Sequence, residues 1–178
     1  MDKVAIITGA ARGIGLATAK IFLQQNYKVV IVDKDKNEVN KLKLKNDKLL
    51  KYICDISDPK KNKSMIEDIY KWGKRIDILV NNAGIGFISD VESTTEEDWE
   101  LVHKVDLDSV FLGCKYALPL MRKSGNGSII NISSISGIVA GHNFAAYNSA
   151  KAGVRHLSKS VALHCARTTD LVLSLIHI

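Results

Sequence analysis

Tyr147 and Lys151, in the stretch YNSAK, stand four residues apart, and Ser134 lies thirteen residues before the tyrosine. A hydroxyl, a phenol and an ammonium brought together can move a proton. The cation stabilises the phenolate, the phenolate takes a proton from an alcohol, and the second hydroxyl holds the substrate oxygen. A free tyrosine titrates near ~10, and lowering that by two to three units takes roughly 3–4 kcal/mol. An ammonium one helical turn away, in a partly dehydrated site near a helix N-terminus, supplies much of it.

The same spacing occurs twice. YKWGK, with Ser57 before it, repeats the pattern at Tyr70 and Lys74. That second set fails on geometry, because Asp58-Pro59 opens a helix with Tyr70 near its other end. At 1.5 Å per residue, Ser57 and Tyr70 are then about 18 Å apart. Tyr70 also leads into the amino end of the next strand, and reads as an exposed or interfacial aromatic. Ser134 instead ends a strand, and Gly137 and Gly141 let the following loop double back. A helix starting near Asn143, as its N-cap, puts Tyr147 in its first turns. Lys151 then falls on the same face, its Cβ about 5–6 Å away. Ser134, Tyr147 and Lys151 are the set expected to converge.

A rigid frame must position them. Five short apolar runs, KVAIIT, KVVIVD, KLLKYICD, RIDILVN and GSIINIS, alternate with longer segments of helical periodicity. Continuous hydrophobicity suits strands covered on both faces, and strand–helix alternation suits a parallel sheet with right-handed crossovers. Thr94, with Glu97 three residues on, resembles a capping box. The expected fold is α/β: a doubly wound parallel sheet with helices on both faces, one domain over residues 1–170.

The first strand runs into ITGAARGIG, which opens a helix. Gly9 permits the tight turn, and Gly13 and Gly15 allow close approach to a pyrophosphate and close packing of helix on strand. Arg12 and Ile14 complete this cofactor loop, and the helix N-terminus faces the phosphate with unpaired N–H groups. Asp33 ends the second strand, where a carboxylate accepts from both hydroxyls of an adenosine ribose and repels a 2′-phosphate. NAD is therefore favoured over NADP, although Arg12 and Lys34 can each reach a phosphate. Asp55 either accepts from an adenine amino group, with Ile56 packed on the ring, or caps its own strand as an Asx turn. Asn82, Ala83 and Gly84 lie at the carboxyl edge beside the first strand, where ligands bind in such sheets. Asn81 is expected to tie neighbouring strands.

The remaining composition is ordinary. The net charge of +6 comes largely from lysines between Lys34 and Arg75, read as the solvated faces of two helices rather than a nucleic-acid surface. Cys54, Cys114 and Cys165 are odd in number and lack metal-ligand spacing, so reduced, packed thiols and no metal are expected. His103, His156 and His164 have no ligand partners at suitable spacing, and His142 reads as a surface residue. The N-terminus has no signal-peptide core, and no apolar run approaches the ~20 residues of a membrane span. A soluble, cytoplasmic protein is the expectation.

Taken in order, TGAARGIG, Asp33, DI, NNAG, NISS and YNSAK make the chain similar to the classical short-chain dehydrogenases/reductases, from the first strand to about Arg167. That resemblance implies a Rossmann-type doubly wound parallel sheet forming a dinucleotide-binding domain, NAD(H) as cofactor, and oxidation of a small-molecule secondary alcohol or reduction of a ketone. It makes Ser134, Tyr147 and Lys151 catalytic, with Tyr147 and Lys151 also touching the cofactor. It further implies a homodimer or homotetramer, with the helices around residues 106–122 and 145–165 against a partner subunit. The alternative is a catalytically impaired, dinucleotide-binding fragment. A basic surface for nucleic acid, whose affinity would fall steeply with salt, is the third and weakest reading.

Two departures stand out. Asp106, in KVDLDSVF, occupies the place where the family usually has a fourth catalytic residue, an asparagine that helps hold a water linking the lysine to solvent. Aspartate donates no amide N–H, and its charge can pair with Lys151. Either the proton relay is altered and activity reduced, or the side chain is tolerated and its backbone carbonyl does the work. The family also continues beyond a sixth strand through a substrate-covering loop to a seventh, whereas this chain ends ARTTDLVLSLIHI. Residues 171–178 suit a sixth strand. LSLIHI also back-translates to CTG TCT CTT ATA CAC ATC, which resembles the transposon end used in sequencing libraries, so the expectation is a translated adapter on a C-terminally truncated frame.

Overall fold

The computed structural model describes residues 2–125, 127–168 and 172–176. All five residues of β1 (Val4–Thr8) are buried, as a strand covered by helices on both faces requires. Their alternation decides which layer each one serves. Val4 and Ile6 join one core with Ile66, Ile69, Val110 and Met121, while Ala5 and Ile7 join the other with Ala19 and Leu16.

Around β1 lie β2 (Lys28–Asp33), β3 (Leu49–Ile53), β4 (Ile78–Asn81), β5 (Ser128–Ile132) and β6 (Val172–Ile176). All pairings are parallel, and the order is β3-β2-β1-β4-β5-β6. The chain moves outward from β1 to β3, then returns to place β4 on β1's other side. That reversal opens a crevice between the carboxyl ends of β1 and β4. Helices α3 (Pro59–Gly73), α5 (Ser109–Ser124) and α6 (Ala145–Thr168) cover one face, and α1 (Gly13–Gln24) covers the other. The short α2 (Lys36–Lys41) follows β2, and α4 (Glu96–His103) runs into α5 through a π-helical turn, Lys104–Asp108. The fold is the doubly wound α/β arrangement expected.

Buried polar side chains knit the layers. Asn81 Nδ2 donates to Asn131 Oδ1 at 2.8 Å, and Asn131 Nδ2 donates to Ser158 Oγ at 2.9 Å, so β4, β5 and α6 share one chain of bonds. Asn81 is thus the strand tie expected of it.

Several local expectations shift. Asp58 caps α3 through the N–H groups of Lys60 and Lys61, with Pro59 behind it. The α4 cap, however, is Thr95, which accepts from Asp98 N–H, whereas Thr94 donates to the Asp90 carbonyl. Helix α6 starts at Ala145, so Asn143 stands one residue before the cap position, and its backbone carbonyl accepts Ser89 N–H. Tyr70 is half-buried against the core, not exposed, because the inward face of α3 carries it there. Within the tail, residues 172–176 pair with β5, from Ser128↔Val172 to Ile132↔Ile176, while residues 171, 177 and 178 lie outside the described residues. Among the described residues no helix is long and apolar enough to cross a membrane, and no cluster of acidic, histidine or cysteine side chains could hold a metal.

Candidate functional site

The loop after β1 is held from both sides. Thr8 Oγ1 donates to the Val80 carbonyl and accepts the N–H groups of Asn82 and Ala83 at 3.0 and 3.1 Å. Asn82 Nδ2 in turn donates to the carbonyls of Thr8 and Gly9. Gly9 sits at φ +62, where a Cβ would stand 2.7 Å from Ala83 Cα, so the β1 and β4 ends touch only because no side chain intervenes. A Cβ on Gly15 would collide with Asn82 Nδ2 and the Gly9 carbonyl at 2.6 Å.

Helix α1 begins without a side-chain cap and has no acidic residue in its first turn. Helices α2, α3 and α4 are all capped, by Asp35, Asp58 and Thr95. The uncapped N–H groups of α1 therefore face the crevice with their partial positive charge uncompensated, which is the arrangement an anionic pyrophosphate needs.

A cleft of about 280 Å³ opens in front of this helix, lined by Gly9, Arg12, Ile14, Asp33, Asp55, Ile56, Asn82, Ala83 and Gly84 among others. Gly13 and Gly15 start α1 behind them. Asp33 is fixed by two backbone donors: Oδ2 accepts Ala11 N–H and Oδ1 accepts Asp35 N–H, both at 3.1 Å. Each oxygen keeps a lone pair for a further donor. Exposed Arg12, whose Nη2 lies 3.9 Å from Asp35 Oδ2, and Lys34 line the same cleft. Asp55 forms the Asx turn, accepting from Ser57 N–H at 3.1 Å and Ser57 Oγ at 2.6 Å, and it also lines the cleft. Burial pushes its carboxyl up, but the Ser57 bonds with Lys34 and Lys61 bring it below the usual carboxylate value.

A second cleft, about 330 Å³, shares Ile14, Asn82 and Gly84 with the first and adds Gly86, Ser133, Tyr147 and Lys151. Tyr147 lies in the first turn of α6, with Lys151 one turn on and only 3 % exposed. The Lys151 ammonium donates to the Ile132 carbonyl at 3.2 Å and stands 5.5 Å from the Tyr147 ring centroid. Ser134, also buried, caps a 3-10 turn, Ile135–Gly137, its Oγ accepting Ser136 N–H at 3.1 Å. That turn rests on α6, since a Cβ on Gly137 would stand 2.8 Å from the Lys151 carbonyl. Ser133 Oγ donates to the same carbonyl at 2.9 Å.

Asp106 lies within the π-helical turn and is fully buried. Its Oδ1 accepts Ile85 N–H at 2.7 Å; its Oδ2 is 3.1 Å from Lys151 Nζ, an ion-pair contact outside hydrogen-bond geometry. Burial pushes the Asp106 carboxyl up, against the opposing pull of Lys151 and the Ile85 N–H.

The repeated pattern at Ser57, Tyr70 and Lys74 does not assemble. Ser57 is bonded to Asp55, and Lys74 is the left-handed C-cap of α3 at φ +61, its N–H spent on the Tyr70 carbonyl. Thr8, Ile85, Ile132 and Ser133 belong to the site although their residue types carried no signal. Ile85 and Ile132 contribute backbone groups, which side-chain identity cannot reveal. The doubled serine in NISS was the one visible hint of Ser133.

A family model described as short chain dehydrogenase matches residues 3–174. The chain belongs to the short chain dehydrogenase family. This family comprises oxidoreductases that bind a nicotinamide cofactor. The chain is 37% identical to an NADP-dependent (R)-specific alcohol dehydrogenase of Lentilactobacillus kefiri, covering 98% of this chain and 71% of that protein. It is 37% identical to a 3-oxoacyl-acyl-carrier-protein reductase of Thermotoga maritima, covering 92% of this chain and 68% of that protein. A metagenomic short-chain oxidoreductase solved in complex with NADP superposes with a TM-score of 0.91 at 28% identity, covering 98% of this chain and 81% of that one.

Proposed function

We propose that this dehydrogenase moves a hydride between NAD(H) and a secondary alcohol or ketone, with Tyr147 as the acid–base group. The observation that carries this reading is the buried Lys151 ammonium beside the Tyr147 ring, on a cleft continuous with the glycine loop. In this reading α1 takes the pyrophosphate with Gly9, Arg12, Gly13, Ile14 and Gly15 around it. Asp33 takes the adenosine ribose, and Asp55 and Ile56 the adenine. Asn82, Ala83 and Gly84 take the second ribose, with Tyr147 and Lys151 beside them.

When bound, the nicotinamide supplies the hydride acceptor for oxidation and the donor for reduction. Tyr147 Oη takes the substrate hydroxyl proton in oxidation and returns it in reduction, and the Lys151 ammonium stabilises the phenolate. The two serines divide by their bonds. Ser133 spends its hydroxyl proton on the Lys151 carbonyl, whereas Ser134 only accepts from Ser136 N–H, so Ser134 keeps a proton to donate to the substrate oxygen. A cytoplasmic homodimer or homotetramer built on α5 and α6 belongs to the same reading, and sedimentation tests the assembly.

The NAD preference rests on Asp33, whose charge opposes a 2′-phosphate. Arg12 and Lys34 in the same cleft favour the NADP reading, as do the NADP-dependent relative and the NADP-bound structure. Fluorescence titration with NADH and NADPH separates the two. At least about tenfold tighter NADH binding is expected; equal or tighter NADPH binding assigns the cleft to Arg12 and Lys34. A steady-state assay with secondary alcohols and ketones then distinguishes an oxidoreductase from a dinucleotide binder held inactive by the Asp106 charge.

A further inference from the structure

Lys151 is the cation on which the proposed chemistry turns, and a carboxylate is buried against it. The two side chains are 4 % and 0 % exposed, so little solvent screens them. Asp106 is held in place by Ile85 N–H on one oxygen, and Lys151 is held by the Ile132 carbonyl on its far side. Gly84 closes over both, since a Cβ there would stand 2.9 Å from Asp106 Oδ2 and 3.2 Å from Lys151 Nζ.

We propose that Asp106 is a positioning residue that sets the pH at which this site works: paired with Lys151, its carboxylate cancels much of the positive charge presented to Tyr147. The inference rests on the reading of Tyr147 as the acid–base group. A phenolate facing a lone ammonium is stabilised; one facing an ion pair is stabilised far less. The phenol therefore holds its proton to a higher pH than it would with an uncharged residue at position 106. For one unit charge several Å away in a partly dehydrated site, the difference is about one pH unit.

Other charges on the surrounding elements do not duplicate this role. On α4 and the π-helical turn, Lys104 pairs with Glu100 at the surface and Asp108 is exposed. On α5, Lys115 lies over Phe111 and Tyr116, and Arg122 meets His164 toward the far end of α6. In the loop before α6, exposed His142 interacts with Asp90. His103 is the further titratable group on this side, its Nε2 3.1 Å from Ser149 Oγ.

Asp106→Asn isolates the charge, because an amide oxygen can still accept Ile85 N–H. Tyrosinate absorbance is followed against pH in the parent, in Asp106→Asn, and in each with Tyr147→Phe added, so that the difference reports Tyr147 alone. A His103→Gln background removes the other titratable group. The Tyr147 midpoint is expected about one pH unit lower in Asp106→Asn than in the parent, and an equal or higher midpoint overturns the proposal. This reading needs no turnover, so a protein inactive on every alcohol still tests it; where alcohols are oxidised, the lower limb of the kcat/KM profile must move the same way. If Asp106→Asn does not fold, Asp106→Ser removes the same charge with a smaller side chain. Failure of both to fold would assign Asp106 to the fold instead of the site's charge, and overturns the proposal too.

Discussion

Gly84 lies directly over Lys151: a Cβ added to the glycine would stand 3.2 Å from the ammonium, and 2.9 Å from the Asp106 oxygen beside it. Those partners are buried and pinned, so Gly84→Ala must displace an ion pair and not merely a flexible side-chain end. The expected cost is ~1–3 kcal/mol of stability, read by urea unfolding, with a fall in turnover of about tenfold or more. An alanine variant as stable and as active as the parent would show that the pair can move freely.

Asp33 is the residue on which the proposed NAD preference rests. With both oxygens anchored by backbone N–H groups, it presents a fixed negative charge to the cleft. Asp33→Ala is expected to weaken NADH binding roughly ten- to hundredfold, the scale of losing hydrogen bonds to a charged acceptor. NADPH binding should weaken less or strengthen, since the repulsion goes with the carboxylate. Parallel titrations with the two cofactors measure the ratio, and a proportional loss of both would remove Asp33 from the discrimination.

Cys54 follows β3 and lines the cleft in front of α1, and burial pushes its thiol from 9.0 up to about 11. Because burial disfavours the thiolate, its fraction at pH 8 falls by about a hundredfold, and alkylation slows with it. The rate should rise about tenfold for each pH unit until the thiol titrates. Bound NADH should slow it further by covering the cleft. Mass spectrometry after timed iodoacetamide treatment follows both effects, and rapid labelling at neutral pH would contradict the burial.

Asn131 joins Asn81 on β4 to Ser158 on α6 and is wholly buried. Asn131→Ala strands a donor on one side and an acceptor on the other. A loss of about 2–4 kcal/mol is expected, above that of an ordinary cavity of the same size. Equilibrium unfolding measures it, and a cost below about 1 kcal/mol would mean that water or a rotamer change replaces the lost bonds.

The sheet and its crevice were legible because strands covered on both faces must be apolar throughout, as in VAIIT and KVVIVD. That the Ser57, Tyr70 and Lys74 pattern does not assemble was legible for a similar reason: a helix puts Ser57 and Tyr70 at opposite ends. Side-chain periodicity does not reveal groups that act through the backbone, so the Ile132 carbonyl and the Ile85 N–H went unseen. The π-helical turn at Asp106 was hidden because one wider turn barely disturbs a 3.6-residue pattern. Thr94 and Thr95 differ only in register, and sequence alone cannot say which of two adjacent threonines caps α4. Asn143 looked like a cap, but α6 starts at Ala145, one residue too late for Asn143 to hold the cap position.

The most direct test is alcohol oxidation by the Tyr147→Phe variant, with NADH affinity measured on the same preparation. If the phenol is the proton acceptor, kcat falls by about a hundredfold or more while NADH binding stays within a fewfold of the parent. A phenylalanine variant that turns over alcohol as fast as the parent would contradict the account.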